Sequence, residues 1–214
     1  MQCILCNSKD VKIHFSRSDV YYFLCHTCKL IFMDPSKHPD LSCCEARYKL
    51  HKNDPFDEGY KNFLMELASP CFGLVDKGSK CLDYGCGPEK VMQTIFNEKG
   101  YSMESYDPCF YPELVSGCYD LITCNEVFEH FALPAVEGKR LFGLLKENGV
   151  LAIGTKMWNS KTDFKTWHYL TDPTHVSMYN RQTLVYLGDL FGLKMVKFYG
   201  DRITILKKAS KTDG

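Results

Sequence analysis

Two spacings of apolar positions divide this 214-residue chain. Short apolar runs at 80–84, 102–106, 119–124 and 150–155 have the length and content of buried strands, while 90–99 and 135–146 between them carry helical spacing. Farther on, 181–191 reads as a helix and 194–199 and 203–207 as strands, with Gly200, Asp201 and Arg202 able to turn between the last two. Strands alternating with helices imply an α/β fold with a parallel sheet, here finished by an antiparallel hairpin. Ahead of it, residues 41–79 read as a mostly helical connecting segment, with Tyr60, Phe63, Leu64 and Leu67 on one face before Pro70 interrupts the pattern. Residues 1–40 follow neither spacing for long. They carry a polar strand, an aromatic strand over 20–24 and two cysteine pairs, and Asp34-Pro35 and His38-Pro39 mark their end. Residues 209–214 read as a disordered tail.

The first sheet strand runs into Gly85-Cys86-Gly87-Pro88. Where a strand meets a helix, Gly85 and Gly87 reach backbone angles closed to other residues and let a ligand approach the main chain. Asp107, followed by Pro108, ends the next strand, where an acid can accept hydrogen bonds from ribose hydroxyls. Such a turn serves a nucleoside-bearing cofactor. A dinucleotide site needs a third glycine in G-x-G-x-x-G, and this chain has Lys90 there, so that fingerprint fails.

The stretch 82–87, then Tyr106-Asp107, then 119–130 ending in Asn125-Glu126-Val127-Phe128-Glu129-His130, resembles the class I S-adenosylmethionine-dependent methyltransferases. The resemblance covers roughly residues 80 to 207. It implies a Rossmann-like sheet, methyl transfer and S-adenosylmethionine as cofactor. By that likeness Asp83, Gly85, Cys86 and Gly87 lie against the methionyl part, Asp107 and Pro108 hold the ribose, and Asn125, Glu126 and Val127 flank the site. In similar enzymes a segment just before the glycine strand covers the cofactor, which makes Tyr60 a candidate. The chain departs from the family at Glu89, where a third glycine is common; a longer side chain there would reshape the methionine end. It departs again between Asp107 and Cys118, an interval of 12 residues counting both ends. One parallel crossover needs about a dozen residues, so a helix, a strand and another helix do not fit. The third, edge strand is expected to be absent, leaving six.

Cysteine spacing adds a metal. Cys3-x-x-Cys6 and Cys25-x-x-Cys28 are two knuckles separated by 18 residues, as in a four-thiolate zinc site, so 1–40 reads as a zinc ribbon that depends on metal for its fold. His14 and His26 are left out because four cysteines complete the shell. A redox role for either pair is weaker, since neither lies between a strand and a helix. Cys81, Cys86, Cys118 and Cys124 lie on or beside predicted strands and read as core packing, and Cys43-Cys44 carry no readable partner. Hydrophobic residues make up 45% and the 26 basic residues balance the 26 acidic ones, a globular composition whose charge argues against nucleic acid. With no long apolar run and no signal-peptide pattern, a cytoplasmic protein that does not contact membrane is expected.

The acceptor is expected beyond the strand that ends near Thr155. Residues 158–179 leave regular structure yet contain Trp167-His168-Tyr169, Asp172 to Val176, and Tyr179, and long stretches over strand carboxyl ends are where α/β folds hold substrates. Trp167, Tyr169, Asp172 and Tyr179 are the candidate substrate contacts. Removing a proton from an oxygen or nitrogen acceptor suits a neutral histidine, with His175 and His168 first and His130 third. A metal on His168, Asp172 and His175 is the alternative use of that cluster. A small-molecule methyl acceptor is the favoured substrate. Two other readings stay open: a non-catalytic ribbon module on a methyltransferase-like scaffold, and a methyltransferase that modifies tRNA or protein.

Overall fold

The computed structural model describes residues 1–40, 56–113 and 117–210. In chain order they form β1 (Val11–Arg17), β2 (Val20–Cys25), β3 (Ile31–Met33), α1 (Glu58–Ala68), β4 (Lys80–Tyr84), α2 (Val91–Glu98), β5 (Ser102–Tyr106), β6 (Tyr119–Asn125), α3 (Pro134–Gly143), β7 (Leu145–Gly154), β8 (Ser177–Met178), α4 (Arg181–Leu190), β9 (Leu193–Tyr199) and β10 (Ile203–Lys208). The main sheet has six strands in the order β5-β4-β6-β7-β10-β9. The first four are mutually parallel, and β10 runs antiparallel to both β7 and β9. Among the described residues there is no edge strand beyond β5. The chain leaving β5 instead closes a single bridge between Asp107 and Tyr111, and the Tyr111 hydroxyl donates to the Pro88 carbonyl at 2.6 Å.

The sheet is buried on both faces, as its apolar strands require. One face packs Leu82, Ile122 and Leu151 with Leu141 and Leu184 of α3 and α4, and the other packs Cys81, Leu121 and Val150 with Leu64, Leu67 and Phe96 of α1 and α2. Leu64 and Leu67 are thus core residues of α1, while Tyr60 and Phe63 are partly buried at its edge. Asp57 caps α1 by accepting hydrogen bonds from the Gly59 and Tyr60 amides. Among the described residues no helix is long and apolar enough to cross a membrane.

The ribbon strands pair with the chain beyond residue 40. Its strands form a sheet in the order β1-β2-β3-β8, so the chain at 177–178, within the expected irregular loop, supplies its fourth strand. Met178 pairs with Ile31 and Ser177 with Phe32. Leu5, Leu30 and Phe32 join the core under the main sheet, and Tyr22, Ile31 and Met33 form a second cluster with Leu170, Val176 and Met178. A small module that lacks its own core gains one here by sharing its neighbour's.

The helix expected at 135–146 ends at Gly143, and β7 starts at Leu145 with Asn148 in a left-handed conformation (φ 61°) within it. Cys81, Cys86 and Cys124 are buried as expected, but Cys118 is exposed, because it precedes the first inward position of β6. Cys43-Cys44, residues 41–55 of the helical segment and residues 211–214 of the tail lie outside the described residues.

Phe32 is fully buried where ribbon and catalytic sheet share one core. Phe32→Ala is expected to lower unfolding stability by about 3–5 kcal/mol, read from the denaturant midpoint. An unchanged midpoint would show that the ribbon's packing contributes little.

Candidate active site

The carboxyl end of β4 turns on Gly85 and Gly87, both at positive φ (83° and 66°). A Cβ on Gly85 would collide with the Val127 side chain, so glycine is required there both for conformation and for space. Lys90 also takes a left-handed conformation (φ 50°) just before α2, and its ammonium lies 3.4 Å over the Tyr111 ring. Glu89, expected to reshape the methionine end, is exposed. Asp107 at the end of β5 ties the turn together. Its carboxylate accepts from the Gly87 amide at 3.0 Å, the Cys109 amide at 2.9 Å and the Phe110 amide at 3.2 Å. A carboxylate has about four lone-pair directions, so room remains for a ligand hydroxyl.

Asp83 is buried beneath this turn and accepts a hydrogen bond from the Thr123 hydroxyl at 2.9 Å. Burial pushes its carboxyl up to about 7 against the pull of that bond. Tyr60 of α1 stands opposite, its hydroxyl pushed up to about 12 by burial and then by the charges of Asp83, Cys86 and Glu89. Cys86 is likewise pushed up to about 12 by burial, so it remains a thiol. Pro108 follows Asp107 in the tight turn that replaces the edge strand.

Past β6 the chain forms a second polar centre. Glu126 has a positive φ (53°), and its carboxylate pairs with the Arg202 guanidinium at 3.2 Å. Arg202 also donates to Asn125 at 2.7 Å and to Glu66 of α1 at 2.9 Å, and it lies 3.9 Å over the Phe63 ring. The Glu126 and Glu129 carboxyls lie within hydrogen-bonding reach of each other. Burial and then Glu129 push Glu126 up to about 8, with Arg202 opposing, and burial raises Glu129 as well. Glu129 is fully buried and accepts from the Thr155 hydroxyl at 2.9 Å and from the Tyr169 hydroxyl.

His130 and His175 adjoin this carboxylate. Their rings meet edge to face at 4.8 Å, and one ligand atom from each of Glu129, His130 and His175 lies within 4.8 Å of the others. His168 does not join them; it is exposed on the short 3-10 turn His168–Thr171, while the buried Tyr169 beside it points inward. His130 closes a 3-10 turn (Phe128–His130). Asp172 is buried, and its carboxylate accepts from the Thr174 amide and hydroxyl at 2.9 and 2.6 Å, shaping the turn that carries His175. The expected metal set of His168, Asp172 and His175 therefore does not assemble.

The aromatic candidates divide. Tyr169 reaches the Glu129 centre. Trp167 packs edge-on against Phe164 within the cluster shared with the ribbon sheet, and Tyr179 is fully buried against Phe128, which leaves it no surface for a substrate. Glu129, Thr155 and Arg202 were not picked out by sequence reasoning. The adjacent Glu129-His130 pair was the available signal, whereas Thr155 and Arg202 gain meaning only from contacts across the sheet. The four ribbon cysteines do converge, with Sγ pairs Cys3/Cys28 and Cys6/Cys25 each at 3.5 Å and all four within 4.8 Å.

A glycine turn after the first parallel strand, an acid after the second and a polar centre after the fourth, on this strand order, define a class I S-adenosylmethionine-dependent methyltransferase. A family model described as a methyltransferase domain matches residues 56–197, and the chain belongs to that family. Its fold is similar to that of Burkholderia thailandensis 1,6-didemethyltoxoflavin-N1-methyltransferase, solved with 1,6-didemethyltoxoflavin and S-adenosylhomocysteine: TM-score 0.63, 12% identity, covering 93% of this chain and 100% of that one. An O-methyltransferase family protein from Burkholderia thailandensis matches with TM-score 0.52 and 14% identity over 78% of this chain and 63% of that one. A chain from a complex with the Haloferax volcanii Trm112 methyltransferase activator gives TM-score 0.52 and 12% identity over 78% and 96%. No curated protein matches the sequence.

Asp83 yields a pH prediction. Its folded value near 7 lies above the unfolded value of about 3.9, so the folded protein keeps a proton that the unfolded chain releases, and stability falls as pH rises between those values. In the cofactor-free protein, Asp83→Asn is expected to flatten this slope and to raise the melting temperature above neutral pH. A melting curve with the same slope in both proteins contradicts the assignment.

Proposed function

We propose that this methyltransferase transfers the methyl group of S-adenosylmethionine to an oxygen, nitrogen or carbon atom of a small molecule, and that its ribbon holds a structural zinc ion. When bound, the cofactor supplies a methyl carbon on a positively charged sulfur. The acceptor's lone pair forms the new bond as the carbon–sulfur pair returns to sulfur. For this the protein chiefly has to align donor and acceptor. Asp107, at the end of β5, is the group we assign to the ribose, with the Gly85–Gly87 main chain and Tyr60 around the methionyl end. The single observation that carries the reading is the centre formed past the end of β6 by the buried Glu129 and His175 and the half-buried His130, to which we assign the acceptor's polar atom. The balanced charge of the chain favours a small acceptor over nucleic acid.

The thiols fit zinc. At a Zn–S distance of about 2.3 Å, tetrahedral thiolates stand about 3.8 Å apart, close to the observed pairs. We assign the protein to the cytoplasm, where such thiols stay reduced.

Calorimetry tests the cofactor. S-adenosylmethionine is expected to bind, and Asp107→Ala to weaken it roughly tenfold to a hundredfold, the loss of charge-assisted hydrogen bonds; no binding to the wild-type protein would end the enzyme reading. Metal analysis is expected to find about one zinc per chain, lost when Cys25 and Cys28 become serine. Metal-free wild-type protein with its fold intact would remove the zinc.

A further inference from the structure

The centre past β6 is built as a ligand set, beyond what a lone general base requires. Glu129 and His130 come from the 3-10 turn after β6, and His175 from the turn shaped by Asp172. Their donor atoms lie within 4.8 Å of one another, and a cation that binds oxygen and nitrogen at about 2.0–2.2 Å spans up to about 4.4 Å between opposite donors. Small side-chain shifts close the set on an ion.

Each donor also has its outer support. A backbone carbonyl only accepts, so His175 Nδ1 donates to the Tyr169 carbonyl at 2.6 Å and His130 Nδ1 to the Thr174 carbonyl at 3.1 Å. A neutral ring that donates from Nδ1 carries its lone pair on Nε2, and donating the other ring N–H to a carbonyl is how metal-binding imidazoles are held. Glu129 receives the Thr155 and Tyr169 hydroxyls on its two oxygens and keeps lone pairs for a further ligand. Glu129 is fully buried and a second carboxyl, Glu126, touches it, an arrangement whose charge a cation offsets.

We infer that Glu129, His130 and His175 form a divalent-cation site that holds an oxygen-rich acceptor, such as a vicinal diol, catechol or hydroxy acid, by two of its oxygens. The mixed imidazole and carboxylate donors suit Mn(II), Fe(II) or Zn(II) better than Mg(II) or Ca(II), and three protein donors leave positions open for the acceptor. A hydroxyl bound there loses its proton to water more readily, and its oxygen then attacks the methyl carbon as the carbon–sulfur pair returns to sulfur. The acceptor class rests on the methyltransferase reading; the cation does not.

The test uses full-length protein with its cysteine cluster saturated with zinc, titrated with Mn(II) while the free ion is followed by electron paramagnetic resonance. About one Mn(II) per chain is expected to bind, and His175→Ala and Tyr169→Phe are each expected to weaken it roughly tenfold or more. Tyr169→Phe preserves the packed ring, so a loss there does not come from unfolding. Mn(II) that stays free through the millimolar range, or binding that both variants leave unchanged, overturns the site. Calorimetry with S-adenosylmethionine on the same samples separates the two claims: cofactor binding without Mn(II) removes the cation site alone, and Mn(II) binding without cofactor removes the methyltransferase reading alone.

Discussion

The backbone between Glu129 and Val176 is the joint on which the molecule depends. The Val176 amide donates to the Glu129 carbonyl at 2.8 Å, and the Ser177 hydroxyl donates to the Phe131 carbonyl at 2.7 Å. From the other side the Met33 amide donates to the Val176 carbonyl at 2.9 Å, and β3 pairs with β8. One short segment is thus bonded at once to the turn after β6 and to the ribbon. His175 precedes it and inherits its position from both.

Buried carboxyls near the carboxyl end of the sheet are tolerated because each is partnered. Asp83, Glu126 and Glu129 are all held where burial raises the carboxyl, and each has a dedicated partner: Thr123, Arg202, and the pair Thr155 and Tyr169. Arg202 is central to this arrangement, since the hairpin turn between β9 and β10 places it against Asn125, Glu126, Glu66 and the Phe63 ring. Lys90 and Glu126, two of the non-glycine residues with positive φ, stand at the same carboxyl end of the sheet. That end is where ligands bind in this architecture.

Much of this was legible in the sequence because it is local. The glycine turn, the acid at Asp107 and the cysteine knuckles are short-range patterns with a stereochemical cause, and the 12 residues from Asp107 to Cys118 set a hard limit on what could follow β5. What escaped is long-range. Two residues, Ser177 and Met178, have no period from which a strand can be read, and only pairing with β3 makes them one. His168 and His175 look alike in sequence, yet one lies exposed on a 3-10 turn and the other is buried. Tyr179 reads as a loop aromatic until the shared core with the ribbon is in view.

The ribbon, through β3, holds the segment that carries His175 in place, and the zinc proposed for its cysteine turns would stiffen that hold. Hydrogen exchange on the protein with and without zinc is the decisive measurement. Removing zinc is expected to speed exchange at the Val176 and Met33 amides, while the amides of β4 and β6 stay protected. Unchanged protection at Val176 in the zinc-free protein would refute this.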